Sequence, residues 1–128
     1  MPNRFFERAA LGLVLALAIG LAVVAICNTV AAMATGMPLT TGWGDQSVIQ
    51  IILAGLPYLV LAAVGIRARR AWITALALTA AFWGFYLWDL TVTDAPDANI
   101  GLGIMMMASP VAIIAGALLA SAAGRRSR

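Results

Sequence analysis

A single-domain bundle of four membrane-spanning helices is the fold class this sequence predicts, on three observations. The 128-residue chain is 63% apolar and only 10% charged, with a mean hydropathy of +0.99. It contains four long apolar segments without interior charges, and all eight basic residues are arginines gathered at segment ends. A soluble domain runs near ~45–50% apolar and ~25% charged. The composition therefore excludes an ordinary water-soluble globule, a disordered tail and a nucleic-acid-binding arm. A chain of this length has room for about four spans of ~20 residues. Within a bilayer each backbone group must find its partner inside its own span, which requires helices, and these apolar runs lack the alternation of barrel strands.

The first span is read at residues 9–35. Ala9 to Cys27 carries no charge or strongly polar side chain, and Gly36 followed by Pro38 is a stop signal. Arg4, Arg8 and the small residues Ala32-Met33-Ala34 imitate a signal peptide, but the apolar run outlasts a secretory core of about 7–15 residues. Ile26 is also too bulky to precede a lipidated cysteine. The second span, 47–66, contains Pro57; the third, 71–88, is the shortest; the fourth, 100–123, contains Pro110. Pro57 and Pro110 lie at similar depth in helices of the same direction, with Asp45 and Asp97 just before them. This pattern predicts two repeated helical hairpins about an axis along the membrane normal.

Orientation follows from charge. Arg4 and Arg8, then Arg67, Arg69 and Arg70, then Arg125, Arg126 and Arg128 fall on one side of a four-span chain, whereas Asp45, Asp94 and Asp97 occupy the opposite loops. The positive-inside rule places both termini in the cytoplasm. Trp43, Trp83, Tyr86 and Trp88 are expected near the outer interface and Trp72 near the inner one. Arginine without lysine, together with abundant alanine, points to a GC-rich bacterial genome and so to a bacterial inner membrane.

Residue counts exclude several chemistries. The chain has no histidine and no lysine, and Cys27 is its only cysteine. Imidazole catalysis, Schiff-base chemistry, disulfides and thiolate clusters are thereby removed. No ionisable residue lies inside a span, so a carboxylate relay or a voltage sensor is not expected. Asp45, Asp89, Asp94 and Asp97 offer oxygen ligands for a divalent cation, yet no dense calcium loop is present, and Asp45 and Asp97 are better read as acids at helix N-termini. Met105-Met106-Met107 spreads around the fourth helix, where flexible packing is preferred over a copper site with Cys27, Met33 or Met37. No cofactor and no metal are expected.

Three sets of residues remain as candidate sites. Gly12, Ala16 and Gly20 in the first span, and Ala112, Gly116 and Ala120 in the fourth, recur every four residues and make helix-packing faces. Ala77–Ala81 and Ala80–Gly84 are shorter versions in the third. Asn28, Gln50, Tyr58, Asn99 and Ser109 form a candidate polar vestibule. Beside it Pro57 and Pro110 are expected to kink their helices and free the carbonyls of Leu53 and Met106, within reach of Tyr58 or Ser109. Arg67, Arg69, Arg70, Arg125 and Arg126 are placed at anionic lipid headgroups.

The function expected is that of a non-enzymatic structural, accessory or assembly protein. It acts through helix packing with itself, as a homo-oligomer, or with another membrane protein. The alternative is a small oligomeric transporter or channel using the outward polar vestibule. Nucleic acid is not an expected partner.

Overall fold

The computed structural model describes residues 3–40, 42–92 and 100–127. These form four helices: α1 (Asn3–Thr35), α2 (Asp45–Val64), α3 (Arg69–Val92) and α4 (Ile100–Arg126). Each is long and apolar enough to cross a membrane. α1 pairs along α2 and α3 along α4, giving two antiparallel hairpins that meet mainly through α2 and α4. Together they make a helical bundle.

The helices differ from the apolar spans at their ends. α1 begins at Asn3 rather than residue 9, because the turn holding Arg4, Glu7 and Arg8 suits a helix although it is polar. α3 starts at Arg69 and runs to Val92 for the same reason, and α4 extends through Arg126. α2 is instead displaced by two residues and begins at Asp45. It stops at Val64, because Gly65 adopts φ +82° and its N–H closes on the Ala62 and Leu61 carbonyls. α1 ends at Thr35, with Gly36 at φ +70° and the Met37 N–H bonded to the Ala32 carbonyl. At the start of α2 the N-cap is Gly44 rather than an acid; Asp45 is the first helical residue. Ser47 closes the turn: its Oγ accepts the Gly44 N–H at 3.2 Å and donates to the Gly42 carbonyl at 2.8 Å.

The tightest packing is the seam between α1 and α2. Gly12, Ala16 and Gly20 are all buried there. A Cβ on Gly20 would collide with the Ile51 carbonyl oxygen, and one on Gly55 with the Ala16 carbonyl oxygen. A Cβ on Gly12 would stand 2.8 Å from the Ala62 side chain. The two backbones thus touch from both sides, with Gly20 and Gly55 supplying the missing side chains. Such close approach drives association where the surroundings are as apolar as the helices themselves.

The opposite face of α2 meets α3 and α4. Tyr58, Leu61, Ala71, Ala75, Ile113 and Ala117 form one apolar cluster, and Cys27, Ala54, Trp83, Leu102 and Met106 form another nearer the opposite end. Large apolar side chains also cover the outside of the bundle, among them Leu11, Leu13, Val14, Leu17 and Leu21 on α1 and Ile104, Val111 and Leu119 on α4.

Pro57 and Pro110 lie inside continuous helices. Proline at 110 removes the N–H that would bond the Met106 carbonyl; the Ser109 hydroxyl takes that carbonyl at 2.7 Å.

If backbone contact fixes the seam, Gly20→Val and Gly55→Val each destabilise the bundle by about 1–3 kcal/mol, the usual cost of overpacking. Gly103→Val, at a position with nothing within 4 Å, leaves stability nearly unchanged. Thermal unfolding of the three variants in a neutral detergent checks this.

Candidate functional site

The structure puts the polar candidates in separate places. Asn28 lies over Gly42 and donates to its carbonyl at 3.2 Å. Gln50 donates to the Tyr86 hydroxyl at 3.0 Å, tying α2 to α3. Tyr58 is fully buried, 2.6 Å from the Thr79 hydroxyl. Thr79 spends its one proton on the Ala75 carbonyl at 2.8 Å, so Tyr58 is the donor of the pair. Its hydroxyl therefore does not serve the Leu53 carbonyl freed by Pro57. Ser109 closes on its own helix. Asn99, Asp94 and Asp97 lie outside the described residues. The four described polar candidates are thus satisfied one at a time, without gathering around a common cavity.

Cys27 and Met106 share the cluster that also holds Trp83, with Met105 packed at its edge. Met33, Met37 and Met107 are exposed, so the methionines diverge. Among the described residues no three His, Cys, Asp or Glu side chains group together.

Two concave features among the described residues bear on function. The first is an apolar groove of about 350 Å³ between α1 and α3. Cys27, Thr79 and Trp83 are buried along it, Ala80 and Gly84 are the small residues of its α3 wall, and Ile26 and Leu76 stand exposed at its rim. Nothing comes within 4 Å of where a Gly84 Cβ would stand. Trp83 is 4% exposed, and its Nε1–H has no hydrogen-bond partner among the described residues. The ring is held edge-on against Tyr86 at 5.5 Å. An unpaired buried donor costs roughly 1–3 kcal/mol, so this position is tolerated rather than stabilising.

The second is a wider bowl of about 1030 Å³ at the end of the bundle that carries residues 3 and 127. Arg67, Arg69 and Arg70, at and before the start of α3, face Arg125 at the end of α4. The Arg70 stem runs beside Gly124, which brings the two helix ends together. Ile66, Ile73 and Ala120 give the bowl apolar walls. Arg126 is exposed and does not line it. Arg8 sits apart, its guanidinium against Gly65 at the C-terminus of α2, where a cation meets the negative end of the helix dipole.

The packing candidates divide similarly. Gly12, Ala16 and Gly20 are consumed within the chain by α2. On α4, Gly116 packs against Leu78 of α3, Ala120 is half-buried in the bowl wall and Ala112 is exposed. Sequence reasoning missed Gly55 and Thr79 as structural partners, and Ser121 as part of the bowl wall. A glycine at mid-helix, costly by about 1 kcal/mol against alanine, was the one available signal for Gly55. No family model matches the chain, and no curated protein or solved structure matches it either.

The two buried polar aromatics should respond differently to loss of their polar atom. Tyr58→Phe removes a satisfied hydrogen bond and lowers stability by about 0.6–2 kcal/mol. Trp83→Phe removes an unsatisfied donor, which offsets its lost packing, and leaves the melting temperature within a degree or two or raises it. Melting curves of both variants read the contrast.

Proposed function

We propose that this chain is a non-enzymatic protein of a bacterial inner membrane, with both termini cytoplasmic, that acts by packing against a second copy of itself. The membrane reading draws on four helices of sufficient length and on the large apolar side chains that cover the outside of the bundle. Soluble proteins rarely expose contiguous apolar surface on that scale. The orientation draws on the arginines: Arg8 beside Gly65 and Arg70 beside Gly124 put the described basic residues at one end.

The observation that carries the packing reading is the α1/α3 groove. The strongest small-residue face, Gly12/Ala16/Gly20, is already occupied by α2, whereas Ala80 and Gly84 border space that none of the described residues fills. The same patch offers the large exposed side chains of Ile26 and Leu76. A two-fold interface, the commonest oligomer symmetry, pairs one patch with its own copy and so needs both protrusions and recesses on that patch. Close helix approach at small residues supplies the attraction in lipid. The transport alternative draws no support from Asn28, Gln50, Tyr58 and Ser109, which close on separate neighbours.

Gly84→Trp should fill the groove, converting cross-linked dimers to monomers in membranes while leaving the melting temperature of the bundle unchanged. Dimers that survive this substitution contradict the groove as the interface, and a wild-type chain that is monomeric in bilayers contradicts self-association. In a Cys27→Ala background, Thr40→Cys is expected to react with a membrane-impermeant thiol reagent in intact cells, and Ser127→Cys only after permeabilisation. The opposite pattern inverts the topology.

A further inference from the structure

We propose that the arginine bowl between the start of α3 and the end of α4 is a specific site for one anionic phospholipid bearing two phosphates. Diffuse attraction of basic residues to a charged bilayer needs no cavity. Here Arg67, Arg69, Arg70 and Arg125 border a single concave volume of about 1030 Å³, and no acidic residue lines it. Among the described residues none of these four guanidinium groups has a carboxylate partner, so the bowl presents an uncompensated cationic rim.

The wall also carries a polar side chain: Ser121 lines the bowl, where its hydroxyl can donate to a phosphate oxygen. Arginine forks bind phosphate oxygens in bidentate geometry.

The occupant is a lipid rather than a soluble phosphate because of the walls. Ile66, Ile73 and Ala120 continue the bowl into the apolar flank of the bundle, and Ile73 is exposed one turn along α3 from the arginines. Phosphate held at the rim leaves acyl chains to run along that flank. Basic pockets between helices on the cytoplasmic side are a recognised setting for lipids with multiply charged headgroups. A single phosphate would leave most of a four-arginine rim unneutralised; two phosphates, set against the α3 arginines and Arg125, match it. The inference rests on the chain being membrane-inserted but not on its self-association.

The test uses the full-length protein in neutral detergent, with lipid binding followed by native mass spectrometry and titration. Cardiolipin is expected to bind once per chain, at least tenfold more tightly than phosphatidylglycerol, without competition from inorganic pyrophosphate. Arg70→Gln with Arg125→Gln should weaken cardiolipin binding about 25-fold, corresponding to ~1 kcal/mol for each arginine near anionic lipid. Arg4→Gln with Arg126→Gln, which removes the same charge outside the bowl, should weaken it less than fivefold. Ala120→Phe keeps every charge but narrows the bowl, and should weaken binding at least tenfold. Equal losses in the two arginine pairs, retained binding in Ala120→Phe, equal affinity for the two lipids, or displacement by pyrophosphate would each overturn the proposal. Carbonate extraction of the same variants from membranes scores insertion separately, so a chain that never enters the bilayer is told apart from one that enters without binding the lipid.

Discussion

Contact between the backbones of α1 and α2 is the constraint on which the remaining structure depends. With no side chain at Gly20 or Gly55, the Ile51 and Ala16 carbonyls come against the facing helix, and α1 has little freedom to rotate about its own axis. That rotation turns Val24 and Cys27 inward and leaves Leu13, Leu17 and Leu21 outside. It also leaves the other face of α2, with Ala54, Tyr58 and Leu61, free to receive α3 and α4. Apolar burial alone would not choose this arrangement, because leucine is equally at home facing lipid or a neighbouring helix. Shape chooses it, through the few positions where one helix can approach another closely.

The buried polar groups follow a second rule, that a hydroxyl in an apolar interior needs a partner close at hand. Thr79 returns its proton to the carbonyl one turn back and accepts from Tyr58; Ser109 bonds three residues back. The Tyr58–Thr79 bond pins α2 to α3 at mid-depth, and Gln50 with Tyr86 pins them again nearer the other end. Trp83 is the exception among the described side chains, and it borders the apolar groove between α1 and α3.

Much of the architecture is legible in the sequence because its cause is local. Four charge-free runs mark four helices, Gly36 with Pro38 marks the end of α1, and Gly12, Ala16 and Gly20 stand out since glycine within a helix needs a reason. Helix ends are less legible where polar residues continue a helix beyond its apolar run, as at Asn3 and Val92. The end of α2 at Val64 turns on a single positive φ at Gly65, between residues that read as apolar helix. Cross-helix partners are the least legible. That Tyr58 meets Thr79 and Gln50 meets Tyr86 depends on the rotation of two helices relative to each other, which no run of residues records. The same holds for the bowl: its arginines are plain in the sequence, but their convergence with Ser121 requires the end of α4 to lie beside the start of α3.

Ser109 and Tyr58 also differ in when their hydrogen bonds can form. Ser109 mends the gap left by Pro110 within α4 itself, so that helix is self-sufficient as soon as it has coiled. The Tyr58 hydroxyl, by contrast, waits on Thr79, which the ribosome delivers only after the α2–α3 connection has been made. In an apolar medium a lone α2 carries an unmet donor until α3 arrives. The Tyr58 bond is thereby a tertiary one, closed only where α2 meets α3, whereas the Ser109 bond is complete within its own helix.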